Sequence, residues 1–231
     1  MKRAIFLDRD GTINDMVYNA DFGLVDSPAN PDEFHLLPGV CDAIRLINQM
    51  GLLAIVVSNQ PGIAKGKFTR MLIDQTTQKM HDLVSHAGAR LDGVHYCLHH
   101  PDAVVPEYRV KCDCRKPRPG LLLQAAQSWE IDLRHSYMVG DGITDVLAGH
   151  AAGCTTFFLN SCKCYNCEEL DKYNVKPSYT VKSLAEAVRI IQAIQSSDGH
   201  GFTPYLPATE LPIAHGADTS ASSTDAKGVS E

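Results

Sequence analysis

Residues 4–12 read AIFLDRDGT, and the reading of this stretch decides the fold. Ala4 to Leu7 form an apolar run of strand length, stopped abruptly by two carboxylates, an arginine and a glycine. Similar runs recur at Leu52–Val57, Val94–Cys97, Tyr137–Val139 and Thr155–Leu159, with a weaker one at Tyr179–Val181. Between them lie helical patterns. Val40, Ala43, Ile44 and Ile47 share one face, as do Leu72, Thr76, Met80, Leu83, Val84 and Ala87. Shorter helices are expected over Leu121–Trp129 and Val146–Ala152, and Ser183 is placed to cap another carrying Leu184, Val188, Ile191 and Ile194. Gly51 and Gly88 stand where helices should end. Strands alternating with helices predict an α/β fold: a Rossmann-like parallel sheet with helices on both faces.

The 231 residues, 44% of them hydrophobic, suffice for one full core, expected over residues 1–195. From 196 to 231 the chain turns to Ser, Thr, Gly, Ala and Pro without apolar period, which reads as a flexible tail. A net charge of −6 offers no general attraction to nucleic acid or anionic membrane, so neither is expected as a partner. The opening apolar run is too short for a signal peptide and no later stretch reaches spanning length, so a cytoplasmic protein is the expectation, with a monomer as the default.

In an open parallel sheet, ligands bind beyond the carboxyl ends of the strands, so the polar residues that end the apolar runs should converge there. These are Asp8, Arg9, Asp10, Gly11 and Thr12; Ser58, Asn59 and Gln60; and Gly140, Asp141 and Gly142, with Arg115, Lys116 and Pro117 ahead of the Tyr137 strand. The set combines carboxylates for a hard cation, a hydroxyl and a fixed cation, which suits phosphoryl transfer. Asp8 and Asp141, with a main-chain carbonyl near Asp10, can supply magnesium with oxygens at about 2.1 Å. Asp8 then serves as the nucleophile that forms an aspartyl phosphate, and Asp10, two residues on, moves the proton. Ser58 and Lys116 hold the phosphoryl oxygens. The bland alternatives are a capped turn at Asp8–Gly11, a surface Lys116, and Asp141 with Asp145 charging a helix start.

The eight cysteines fall into groups. Cys97, Cys112 and Cys114 with His99 or His100 make a closed zinc set at about 2.3 Å per Zn–S bond, a structural ion pinning the 97–114 loop beside Arg115 and Lys116. Cys162, Cys164 and Cys167 lack a fourth ligand and read equally well as loop thiols, while Cys41 and Cys154 read as small buried hydrophobes.

FLDRDGT, SNQPG, CRKPRPG and VGDGITD together resemble the four motifs of the haloacid dehalogenase superfamily, over residues 3 to about 195. The zinc-containing subgroup of D-glycero-D-manno-heptose 1,7-bisphosphate phosphatases and histidinol phosphatases is the nearest. The resemblance implies a phosphoric monoester hydrolase acting on a small phosphorylated metabolite, a heptose bisphosphate first and histidinol phosphate or another sugar phosphate second. It implies Asp8 as nucleophile, Asp10 as acid and base, magnesium at Asp8, Asp10 and Asp141, and phosphoryl contacts from Ser58 and Lys116. It further implies substrate contacts from Asn59, Gln60 and Arg115, a minimal cap, and His99 as the zinc-binding imidazole. Two departures are visible. Gly142 stands where the heptose enzymes commonly carry lysine, and the Asp15–Leu37 stretch is longer than the compact pattern, either closing over substrate or running along the surface. A zinc-stabilised binding module without turnover is the rival from another class.

Overall fold

The computed structural model describes residues 1–20, 23–159 and 164–197. Its centre is a six-stranded sheet in the order β5-β4-β1-β6-β7-β8, parallel throughout. The strands are β1 (Ala4–Leu7), β4 (Leu53–Asn59), β5 (Gly93–Cys97), β6 (Tyr137–Gly140), β7 (Thr155–Leu159) and β8 (Tyr179–Val181). The pleat of β1 shows why. All four residues have no exposed surface. Ile5 and Leu7 join Val40, Ile44 and Ile47 of α1 (Val40–Gln49), Met80 and Val84 of α2 (Arg70–His86), and Leu184, Val188 and Ile191 of α6 (Leu184–Ser197). Ala4 and Phe6 face the other way, against Leu121, Leu122 and Ala125 of α3 (Gly120–Trp129) and Ala148 of α4 (Ile143–Ala152). A strand apolar at every position thus has a helical layer on either side.

Local chemistry closes the helices. Thr69 accepts the Leu72 amide at the start of α2, and Ser183 accepts that of Glu186 while Glu186 returns a bond to the Lys182 amide, a reciprocal cap. At the far ends, Gly51 and Gly88 take φ of 71° each, just past α1 and α2.

Four differences from the sequence reading follow. The Asp15–Leu37 excursion contains an antiparallel hairpin, β2 (Val17–Asn19) with β3 (Leu24–Asp26). Its ends are zipped: Asp15 N–H donates to His35 O at 2.9 Å and Leu37 N–H to Ile13 O at 2.9 Å, over fully buried Ile13 and Phe34. Cys164 and Cys167, left open between loop thiols and an incomplete metal cluster, lie in α5 (Cys164–Lys172), whose Leu170 packs against Val146, Phe158 and Val175, while Cys162 lies outside the described residues. Cys154 is buried as expected, but Cys41 keeps partial exposure. α6 runs on to Ser197, and the expected tail beyond it is outside the described residues. No described helix is long and apolar enough to cross a membrane.

Candidate active site

The chain leaves β1 toward β4 and β5 on one side and returns to β6 on the other, so the strand order reverses between β1 and β6. That reversal opens a crevice at the carboxyl edge, and Asp8 and Asp141 stand on its two rims. Asp8, Asp141 and Asp145 each bring a carboxylate oxygen within 4.8 Å of the others. Gly11 makes room: its φ is 78°, and a Cβ there would lie 2.3 Å from Asp141 Oδ2. Gly140 does the same for Asp145, whose Oδ2 would be 2.2 Å from an added Cβ. Asp145 Oδ2 also accepts the Gly142 amide at 2.9 Å, tying α4 to the site.

Lys116 enters this cluster from the loop before α3. It is 2% exposed, and its ammonium reaches Asp145 Oδ1 at 2.5 Å, Val57 O at 2.8 Å and Asp8 Oδ1 at 2.9 Å. Burial opposes its charge, but Asp145 and Asp8 outweigh burial and hold the lysine above its ordinary pKa. Burial and the nearby Asp8 and Asp141 push Asp145 up to about 7, against the pull of Lys116. Three carboxylates and a single ammonium leave an excess of negative charge in a small, partly buried volume. The donors are all hard oxygens, so the residues present fit magnesium.

Asp10 points elsewhere. Its carboxylate accepts from Arg9 Nε at 3.0 Å and Nη2 at 3.2 Å, from Asn14 Nδ2 at 2.9 Å and from Gln60 Nε2 at 2.6 Å. Arg9, 1% exposed, also lies 5.6 Å from the centre of the Tyr96 ring. Ser58 is buried at the tip of β4 and its Oγ accepts from Gln60 at 3.2 Å. Asn59 and Gln60 were expected to touch substrate, but both amides are turned inward: Gln60 has no exposed surface, and Asn59 is paired with the main chain of Lys116. Arg115 is half-buried, with Nη1 on the carbonyl of His99 at 3.2 Å.

That carbonyl belongs to a second cluster. Cys97, His99, Cys112 and Cys114 converge, with Sγ separations of 3.2 Å (Cys97–Cys114), 3.3 Å (Cys112–Cys114) and 3.6 Å (Cys97–Cys112), and His99 Nδ1 3.4 Å from Cys114 Sγ. A zinc tetrahedron with thiolates has edges of about 3.8 Å, so a small outward shift accommodates the ion. Burial and the two adjacent sulfurs drive the Cys114 thiol far above its usual range, and burial raises Cys97 as well. At Cys112 burial is outweighed by the sulfurs and main-chain amides that bond to it, which lower its thiol, so the cluster suits a cation that would stabilise its sulfurs as thiolates. His100 is not in the cluster; its Nδ1 accepts the Asp102 amide at 3.1 Å.

Comparisons with known proteins agree with this geometry. Residues 113–187 match the HAD-hydrolase-like family model. D-glycero-beta-D-manno-heptose-1,7-bisphosphate 7-phosphatase of Escherichia coli K12 is 46% identical over 156 residues, 68% of this chain and 78% of that one. The chain belongs to this family of HAD-like phosphatases. The Pasteurella multocida enzyme of the same name is 38% identical over 85% of this chain and its own whole length. Among solved structures, the D,D-heptose 1,7-bisphosphate phosphatase of B. bronchiseptica, complexed with magnesium and phosphate, has a TM-score of 0.68 at 28% identity, covering 85% of this chain and 99% of that one. A HAD-like phosphatase of Mesorhizobium loti also has a TM-score of 0.68, at 30% identity over 84% and 87% of the two chains. The HAD-like phosphatase described here is therefore a phosphoric monoester hydrolase, which sets the binding-module alternative aside. Three participants escaped the sequence reading: Asp145, weighed there only as a helix charge, Arg9, read only as part of a strand end, and Asn14, which was not singled out at all. The signal for Asp145 was its place in VGDGITD, four residues beyond Asp141 and one turn into the helix.

Proposed function

We propose that this phosphatase removes the 7-phosphate of D-glycero-β-D-manno-heptose 1,7-bisphosphate through an aspartyl-phosphate intermediate on Asp8. The observation that carries the reading is Asp8 itself, a carboxylate with Lys116 Nζ at 2.9 Å and two further carboxylates beside it. A carboxylate attacks a phosphate dianion only where the charge of both is offset, and this is the one place among the described residues that gathers the means.

Asp8 forms the new P–O bond as the bond from phosphorus to the sugar oxygen breaks, and that oxygen leaves with a proton from Asp10, whose carboxyl gives up one of its bonds from Arg9, Asn14 or Gln60 to reach it. Water then attacks the aspartyl phosphate, Asp10 takes its proton, and Asp8 is regenerated with release of inorganic phosphate. Arg9, Asn14 and Gln60 fix the direction of the Asp10 carboxylate. Ser58 and Lys116 steady the phosphoryl group. Asp8, Asp141 and Asp145, with the main-chain carbonyl of Asp10 in place of its engaged carboxylate, would hold magnesium, which when bound offsets charge on the phosphate and the nucleophile. Cys97, His99, Cys112 and Cys114 would hold a structural zinc. Its loop presents Arg115 to the part of the substrate that does not react.

Phosphate release across heptose 1,7-bisphosphate, histidinol phosphate and simple sugar phosphates tests the substrate, with 31P NMR reporting which phosphate leaves. Preference for histidinol phosphate overturns the sugar assignment. Asp8→Asn should lower magnesium-dependent turnover of every substrate by at least about a thousandfold.

A further inference from the structure

We infer that Asn59 is a positioning residue for Lys116 rather than a substrate contact; the inference rests on the proposed role of Lys116 beside the phosphoryl group. Asn59 Nδ2 donates to the carbonyl of Lys116 at 3.0 Å, and the Lys116 amide donates to Asn59 Oδ1 at 3.0 Å. A planar carboxamide that gives to the C=O and takes from the N–H of one residue fixes both its distance and its rotation, as a strand ladder does. Two residues earlier on the same strand, the carbonyl of Val57 accepts from Lys116 Nζ at 2.8 Å. β4 therefore grips this lysine at both ends, its main chain through Asn59 and its ammonium through Val57. What lies between is a fully buried alkyl chain that ends 2.9 Å from Asp8.

The arrangement spans the sheet edge. Asn59 and Lys116 lie 57 residues apart in the chain, and the loop that brings Lys116 forward has no strand of its own. The side chain at the tip of β4 supplies the register the loop lacks. Ser58, its neighbour on the same strand tip, accepts from Gln60 instead, and Gln60 in turn donates to Asp10, so successive residues of SNQ serve different members of the catalytic set. Both polar atoms of the Asn59 amide are already engaged by Lys116. Only the second amide N–H and the second carbonyl lone pair are left for any other partner.

The test is a double-mutant cycle read on p-nitrophenyl phosphate and on the heptose bisphosphate, using Asn59→Leu, Lys116→Met and the double variant of the magnesium- and zinc-loaded enzyme. Asn59→Leu should lower kcat about 10- to 100-fold on both substrates and leave KM within about threefold, as expected when a group next to the reacting centre is misplaced. In the Lys116→Met background it should cost nothing further. Asn59→Asp, which keeps the acceptor for the Lys116 amide but not the donor, should fall between wild type and Asn59→Leu. A loss confined to the sugar substrate with a raised KM overturns the inference in favour of direct contact. So does full additivity in the cycle, or a fall in Tm with kcat intact. Undiminished turnover in Lys116→Met removes the role of Lys116 itself, and that result is distinct from a Lys116→Met loss that Asn59→Leu fails to reproduce.

Discussion

At the scale of single residues, the charge around Asp145 has a measurable consequence. With its pKa pushed up to about 7 by burial and by Asp8 and Asp141, the metal-free protein carries a proton there below pH 7 that a cation must displace. A raised carboxylate pKa means that the folded, metal-free chain binds more protons than the unfolded one, so its stability declines as pH rises from the ordinary carboxylate range through about 7. Magnesium binding has the opposite dependence and should tighten from pH 6 to pH 8. Titration calorimetry in two buffers of different ionisation enthalpy would read the released proton at pH 6. Equal affinity and no proton release across that interval would contradict the assignment. Little of this was legible in the sequence. Asp8, Asp10 and Asp141 announce themselves by following apolar runs, but the direction of an Asn59 or Gln60 amide depends on partners more than 45 positions away. Asp145 was hidden for another reason: one carboxylate satisfies both the capping of α4 and the contact with Lys116, and the cap alone accounts for it in the sequence.

At the scale of elements, the strands and helices of the sheet were legible because their apolar periods are strong, and Gly51, Gly88 and Ser183 mark their ends. The β2–β3 hairpin was not. Each of its strands has three residues, and Tyr18, Leu24 and Val25 remain exposed, so no buried alternation exists to read. The 97–114 loop was visible through cysteine spacing; spacing alone left His99 and His100 open, the resemblance pointed to His99, and it is His99 that lies among the sulfurs. Its proposed ion yields a second prediction. Purified protein should contain about one equivalent of zinc, and Cys112→Ser should lose it, lower Tm and expose the 98–111 segment to limited proteolysis. Retention of full Tm and protease resistance without zinc would show that the loop stands unaided. Because the loop ends in Arg115 and Lys116, activity should decline together with zinc content.

For the molecule as a whole, the described core closes with α6, whose Leu184, Val188 and Ile191 pack on α1 and the sheet. We propose that residues 1–197 form the complete catalytic unit, so a chain ending at Ser197 should keep the Tm and kcat of the full chain. A drop of more than a few degrees, or a marked loss of turnover, would assign the remaining residues to the fold. The α/β architecture itself was legible from one end of the sequence to α6, since every apolar run needed a cover on both faces and the alternating helices provide it. What no reading of periodicity provides is the order of the strands, and with it the identity of the tips that meet.

That order also sets a timetable for synthesis. Ile5 pairs with Ala54 on one side and Tyr137 on the other, so the first of these strands to be made gains its second neighbour only after β4, β5 and the whole zinc loop have been synthesised. Until β6 has emerged the nascent polypeptide holds its nucleophile without the opposing carboxylates. A stalled chain released before that moment will be inert, however well its first half has collapsed.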